Sequence, residues 1–478
     1  MGMDFNKAVG FSRRDLSERA GLLRINDAIV SAARKNPVTS PAMSSPPTMT
    51  VSASTDAALT QIYSFASGGA LIAASLTSAA DKVNWLGGLP KACSLGAAAG
   101  SLVTQVTSTY YPNLDGNAAY TVGQGTVDPS LTADMNMVLG GFEFETAAPT
   151  VEVRLYNETN LRVCFQVDGE YVDKAGHTAT TGTTVRSDYY KLAFGSEKVR
   201  RIRVMLTADP KKGSSGTNQG WQAVRSIAIT AGYVMWKPKR KPLRLGVFGD
   251  SYSTGVGGTS SAGTFQVPGQ SYPQIMGDLL GFPDVRVFGI GSTGYVAAGN
   301  AGGGSNRLAL PDAFPRFVSM YGGALDLDLA VIGHGYNDGV SGGGGGVVTG
   351  LQAAVDTSLG LIRAHQANLP IVVLGAQPGA KGPSAGILAA EAAIKAAVDA
   401  RVAAGDNLIR FVAVSPDAVS SWTYGTGYVG ATNGTDASNI DIGADGTHPT
   451  TTYAAKIGAR GADGVRWAVS DMLVVAGQ

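Results

Sequence analysis

The sequence predicts an α/β chain in two parts. A three-layer α/β/α sandwich of about five parallel strands fills residues 243–478, and a β-sandwich of jelly-roll type precedes it over 106–236. Three observations predict this. Beyond residue 243, near-continuous apolar runs of strand length alternate with helical patterns, as they do when helices cover both faces of a parallel sheet. Between 106 and 236 the apolar residues recur with period two between turn-rich spacers. At 478 residues the chain is also longer than one hydrophobic core usually organises.

Residues 1–105 form a leader. "DLSERAGLLRINDAIVSAARK" (15–35) places Leu22, Ile25, Ile29 and then Ala32 or Ala33 at helical spacing. Such a helix serves either attachment and oligomerisation or packing on its own chain. "NPVTSPAMSSPPTMTVSAS", with its prolines and hydroxyls, is linker-like. The strands of the middle part follow. "VEVRLYN" (151–157) alternates Val151, Val153 and Leu155, "LRVCFQV" (161–167) puts Leu161, Val163, Phe165 and Val167 on one face, and "VRRIRVMLTA" (199–208) does so with Ile202, Val204 and Leu206. "KPKRKP" (237–242) is a cationic, proline-bounded linker. Five apolar runs come next: "LRLGVFGD" (243–250), "VRVFGIG" (285–291), "LDLAVIGHG" (327–335), "IVVLGAQP" (371–378) and "LIRFVAVSP" (408–416). Helical patterns lie between and after them, at 271–281, 350–366, 384–405 and from Tyr453 onward.

Composition narrows the function. The 37 Lys and Arg residues are balanced by 36 Asp and Glu, so the basic excess of a nucleic-acid binder is missing. The apolar stretch 68–80 is too short and too rich in small polar residues to span a bilayer. The N-terminal residues contain no continuous apolar core of a Sec-type signal, which leaves localisation open between a virion, the cytoplasm and another export route. Of the two cysteines, Cys93 and Cys164, the second lies in an alternating strand pattern and is expected to be a buried free thiol.

Ligands and active groups of open α/β sheets gather outside the carboxyl ends of the strands. The segments following the apolar runs are therefore expected to converge. After the first comes Gly249-Asp250-Ser251, after the second "GIGSTGY" (289–295), and after the third "HGYND" (334–338). After the fifth, before the last helix, comes "ADGTHPT" (444–450). Together they offer a hydroxyl, a glycine-rich backbone, an asparagine and an Asp-x-x-His pair.

These four blocks, in this order over residues 243–478, resemble the SGNH (GDSL-type) hydrolase superfamily, with its flavodoxin-like sandwich. The resemblance implies Ser251 as nucleophile, His448 as its base and Asp445 as the acid orienting the imidazole. It implies an oxyanion hole made by the Ser251 N–H, a backbone N–H of the second block and the Asn337 side chain. The second block departs from the family form: Val287 or Gly289 stands where an asparagine is usual. Its donor is then Gly291, Ser292 or Gly294, with Gly291 favoured. A serine hydroxyl is a weak nucleophile without an adjacent base, which is why Ser251 needs the other two residues.

Asp250 is expected to shape the turn by hydrogen bonding and not to serve as a second acid. His334 lies close to the site, but no ligand cluster surrounds it in sequence, so a structural or pocket-lining role is expected. His177 and His365 receive no chemistry. No cofactor or metal is implied. A β-sandwich before such a domain looks like carbohydrate esterases with an accessory module, which implies hydrolysis of small acyl esters, foremost O-acetyl groups on a polysaccharide. The leader without a Sec signal also resembles phage tail or receptor-binding proteins, which would make the chain a homo-oligomer, trimeric in that setting. The alternatives are a catalytically inactive glycan-binding virion protein and a lipase or thioesterase of the same superfamily.

Overall fold

A computed structural model describes residues 13–35, 42–65, 77–78, 80–86, 90–92, 102–104, 140–157, 162–178, 186–206, 222–253, 268–298, 300–301, 305–306, 308–320, 325–340, 349–379, 382–431 and 436–475. Cys93, most of the stretch 68–80 and most of the Gly-rich loops after the first and third apolar runs lie outside the described residues.

The predicted leader helix is present as α1 (Arg13–Lys35). The middle of the chain forms two facing, largely antiparallel sheets. One contains β1 (Thr48–Ser52), β2 (Gln61–Ser64), β4 (Thr150–Asn157), β6 (Arg186–Ala193) and β8 (Gln222–Ile229), in the order β1-β6-β4-β8-β2. The other contains β3 (Gly140–Thr146), β5 (Arg162–Val167) and β7 (Arg200–Leu206), with β7 central. Alternation does what the sequence anticipates. Val151, Val153 and Leu155 of β4 meet Val163 and Phe165 of β5 and Ile202 and Val204 of β7 in one core. The sheets also take in β1 and β2, which the sequence reading assigned to the leader. Their short, polar, proline-flanked runs carry a weak period-two signal.

The C-terminal half contains β9 (Arg244–Gly249), α2 (Tyr272–Leu280), β10 (Asp284–Gly289), α3 (Leu310–Met320), β11 (Leu329–Gly333) and α4 (Tyr336–Val340). It continues with α5 (Leu351–His365), β12 (Ile371–Leu374), α6 (Ala385–Ala403), β13 (Ile409–Val412) and α7 (Thr451–Val475). The five strands pair in parallel in the order β10-β9-β11-β12-β13. This is the doubly wound 2-1-3-4-5 arrangement, whose crevice opens where the order reverses, between the ends of the first and third strands. Strand side chains divide between two cores. Leu245, Val247, Val285 and Val331 pack with α1, α2 and α7, while Phe248, Phe288, Ile332 and Val373 pack with α3, α5 and α6. The expected three layers are therefore present, with α1 in the outer layer through buried Leu22, Ile25, Ala28 and Ile29.

Local chemistry sets the helix limits. Pro273 opens α2, where a missing N–H costs nothing, and Gly281 closes it in a left-handed conformation (φ 75°). Ser384 caps α6 by accepting from the Ile387 N–H. Helix α7 packs closely because Gly458, Gly461 and Gly464 leave room: a Cβ there would lie within 3.0 Å of Ile275, Met276 and Val412, respectively.

A buried polar network joins the two halves. On α2, the Asp278 carboxylate accepts from the Tyr171 hydroxyl at 2.9 Å, Gln166 at 3.2 Å and Gln274 at 2.8 Å. Arg203 on β7 lies 3.9 Å from Asp278 and 3.7 Å from Glu143, and donates to Gln166 at 2.6 Å. The outer side of the β5–β7–β3 sheet thus faces the parallel-sheet half and not solvent. Cys164 is a buried free thiol in the same region, beside Tyr171 and Met205. No described helix is long and apolar enough to cross a membrane.

Candidate active site

The loops after β9, β10 and β11 meet at the carboxyl edge of the parallel sheet, where strand order reverses. After β9 the chain turns at Asp250. Its Oδ1 accepts the Tyr252 N–H at 2.9 Å, and its carbonyl accepts the Ser253 hydroxyl at 2.7 Å. Ser251 sits at the head of this turn and is 8% exposed. Burial pushes the Asp250 carboxyl up to about 7, the Asp338 charge adding to it and the Tyr252 N–H opposing it. Asp250 therefore does shape the turn, as the sequence suggests, and it does so next to a second buried acid.

Asn337 opens α4 and reaches both neighbouring loops. Its Nδ2 donates to the Thr293 carbonyl at 2.8 Å and to Asp250 Oδ2 at 3.3 Å. The first is a normal bond; the second is long and easily exchanged. An anionic oxygen arriving at Ser251 could accept that second N–H in place of Asp250.

Asp338, the next residue, is a functional position that the sequence reading left without a role. It is fully buried, and its carboxylate accepts three successive backbone N–H groups, from Tyr295 at 2.9 Å, Val296 at 2.9 Å and Ala297 at 2.8 Å. This ties the second-block loop to the start of α4. Gly294 is required there, since a Cβ would lie 2.2 Å from Asp338 Oδ2. The Gly294 N–H is itself used, donating to the Ala297 carbonyl at 2.9 Å. Gly291 is buried, whereas Ser292 is exposed and left-handed (φ 61°).

The fourth block is a tight turn before α7. His448 Nδ1 and Asp445 Oδ2 are 2.6 Å apart, and the other carboxylate oxygen accepts the Thr447 and His448 N–H groups, each at 2.9 Å. Burial acts to raise the Asp445 carboxyl, but the hydrogen bonds from the His448 side chain and from the backbone prevail and hold it down at about 2. A carboxylate so held favours the tautomer with Nδ1 as donor, which leaves Nε2 as the unprotonated nitrogen of the neutral ring. Tyr252 joins this turn to the serine's: its hydroxyl donates to the Thr447 carbonyl at 2.5 Å, with the Pro378 carbonyl 3.1 Å away, and its ring lies 6.1 Å from the His448 ring. The sheet edge thus gathers the Ser251, Gly291, Asn337, Asp445 and His448 segments.

His334 is buried against the Tyr295 ring (5.5 Å between centroids), and burial lowers its pKa to about 4. It is a neutral ring packed behind the second-block loop. Among the described residues no cluster of three or more potential metal ligands occurs. His365 packs edge-on against Phe314 and bonds the Leu325 carbonyl, and His177 lies on the sandwich.

No protein-family model and no curated protein matches this sequence. Solved structures do. An acetyl xylan esterase from the rumen bacterium Butyrivibrio proteoclasticus aligns over 86% of this chain and 99% of its own at 12% identity, with a TM-score of 0.53. A salicylyl-acyltransferase from a tetracycline biosynthetic pathway aligns over 80% and 93% at 12% identity, with a TM-score of 0.51. A family 2 carbohydrate esterase with a carbohydrate binding domain, from Corynascus thermopiles (Myceliophthora fergusii), aligns over 72% and 98% at 18% identity, with a TM-score of 0.47. The parallel sheet and its layers place the chain in the doubly wound α/β class. Within that class the C-terminal half has an SGNH hydrolase-like fold, accompanied by a separate pair of antiparallel sheets.

Proposed function

We propose that this chain is a serine esterase that hydrolyses small acyl esters, foremost O-acetyl groups on a polysaccharide. Ser251 attacks the ester carbonyl while His448 Nε2 takes its proton. Asp445 keeps the imidazole in the correct tautomer and stabilises the imidazolium. The oxyanion is received by the Ser251 N–H, the Gly291 N–H and the Asn337 amide, whose long bond to Asp250 gives way. His448 then returns the proton to the departing alkoxide, and water repeats the sequence on the acyl-serine. The observation that carries this reading is the 2.6 Å His448–Asp445 contact, on a turn bonded through Tyr252 to the turn of Ser251. The likeness to an acetyl xylan esterase supports the substrate class.

The test is acetate release from p-nitrophenyl acetate and from acetylated glycans by the wild type and by Ser251→Ala. We expect the variant to lose the rate on both while keeping its fold. Turnover of fatty-acyl esters with none on acetyl esters would instead favour a lipase or thioesterase. A virion role belongs to the same proposal, in which the chain deacetylates a host surface glycan as a tail protein. Immunogold labelling of particles would reveal it, and particles without label would remove it. The likeness to an acyltransferase supports one second reading, transfer of the acyl group to an acceptor alcohol in place of water. Added alcohol that diverts product from free acid to a new ester would identify it.

A further inference from the structure

The segment that carries Asp445 and His448 to the sheet edge, residues 413–450, also leaves large apolar side chains in water. Tyr424 and Val429 are each 41% exposed and Ile440 is 61% exposed. Single exposed hydrophobics need no explanation, but a contiguous group marks a binding surface. Backbone bonds bring the runs that carry these three alongside each other. The Ser438 N–H donates to the Tyr424 carbonyl at 3.1 Å and the Val429 N–H to the Ile442 carbonyl at 2.9 Å. The run 424–429 therefore lies alongside 438–442, with Ile440 between the two ties.

The second run is fastened in turn to the histidine. The Thr450 N–H donates to the Asp441 carbonyl at 2.8 Å, the Thr450 hydroxyl to the Ile440 carbonyl at 3.1 Å, and the Gly443 N–H to the His448 carbonyl at 2.8 Å. The exposed group thus borders the chain that holds His448. In ester cleavage by a serine–histidine pair, the imidazole hands its proton to the departing alcohol oxygen. The alcohol half of the substrate accordingly lies on the histidine side of the scissile bond, and the acyl half on the side of the oxyanion donors.

We propose that Tyr424, Val429 and Ile440 form the subsite for the alcohol half of the ester, and that this alcohol is a sugar ring within a glycan chain. One aromatic and two branched aliphatic side chains suit the apolar C–H face of a pyranose, whose hydroxyls stay in water. The proposal rests on the esterase reading above and adds the part of the substrate that this surface recognises.

The test compares three esters by acid release at constant pH: ethyl acetate, ethyl octanoate and an O-acetylated xylo-oligosaccharide. The variants are Tyr424→Ser and the triple Tyr424→Ser/Val429→Ser/Ile440→Ser, with folding checked by thermal melting. For the triple variant we expect KM for the oligosaccharide to rise about tenfold, the equivalent of about 1.4 kcal/mol, with kcat little changed. Its kcat/KM on ethyl acetate should stay within about twofold of wild type, well under that tenfold interval. An unchanged oligosaccharide KM, an equal loss on all three esters, or a loss confined to ethyl octanoate would overturn the subsite. Failure of the esterase reading is seen separately, as a wild type that releases no acetate from either acetyl ester. In that event, calorimetric titration of the wild type and the triple variant with the oligosaccharide decides the surface, and equal or absent binding in both rejects it.

Discussion

Two buried carboxylates flank Asn337, and they do different work. Asp338 holds three N–H groups of the second-block loop and so sets where its donors point relative to Asn337. Replacing it with alanine leaves those N–H groups unpaired, at about 1–3 kcal/mol for each buried group that water cannot reach. Asp338→Ala should therefore lower both the melting temperature and kcat, whereas Asn337→Ala, which unpairs only the Thr293 carbonyl and Asp250, should lower kcat by about 10²–10³-fold with a smaller drop in melting. Melting curves beside acetate-release rates check the contrast. Asp445→Asn removes the charge and offers His448 an N–H that can select the wrong tautomer, and on the proposed mechanism it should reduce kcat by about 10⁴-fold, as the same change does in Ser-His-Asp proteases. Because Asp445 is held at about 2, below its ordinary 3.8, its stabilising contribution is present above about pH 4 and lost as pH falls through 2. That group gives activity no acid limb near neutrality, and a pH–rate profile tests this.

At the scale of elements, α6 carries its own buried acid. Glu391 accepts from the Ala376 N–H at 2.6 Å and the Val414 N–H at 2.8 Å, clasping the chain just beyond β12 and β13. Burial raises it to about 7, with the backbone bonds opposing. The folded state therefore binds this proton more tightly than the unfolded chain, whose value is near 4.5, and stability falls as pH rises between the two. Asp250, also raised to about 7, acts in the same direction. We expect the melting temperature to drop between about pH 5 and pH 8 and the drop to shrink in Glu391→Gln. Thermal scans at both pH values read it; an unchanged pH dependence in the variant would exclude Glu391 as a source.

These acids also show how far the sequence could be read. The five apolar runs from 243 announced their strands because burial on both faces demands unbroken Val, Leu, Ile and Phe. The Asp-x-x-His turn was legible because both partners lie within four residues. Asp338 and Glu391 were not, since a buried carboxylate is defined by N–H groups that distant loops bring to it. The bonding within "GIGSTGY" was hidden for a related reason: only the fold reveals that the Gly294 N–H is used by the Ala297 carbonyl. Strands β1 and β2 were missed because their pairing with β6 and β8 outweighs a weak local pattern.

For the whole molecule, the decisive contact is the Asp278 network between the halves. Removing one partner from a buried charge cluster costs more than the cluster itself contributes, because the remaining charge is left unpaired. Asp278→Ala, which takes the acceptor from Tyr171 and Gln166 and leaves Arg203 to the Glu143 carboxylate, should weaken the coupling of the halves. We expect one calorimetric transition for the wild type and two resolved transitions for the variant, with acetate release retained at low temperature. A single, equally cooperative transition in the variant would assign the coupling elsewhere.

Helix α1 gives the chain a timetable. Among the described elements it is made first, yet the surface that buries Leu22, Ile25 and Ile29 is built from α2 and α7, the latter the last of them. The sandwich strands can pair before the parallel-sheet half is made, but the outer layer of that half closes only once α7 has emerged. Contacts between chain ends are slow to form and leave apolar surface waiting. The amphipathic face of α1 is therefore the part of the nascent protein most in need of a chaperone.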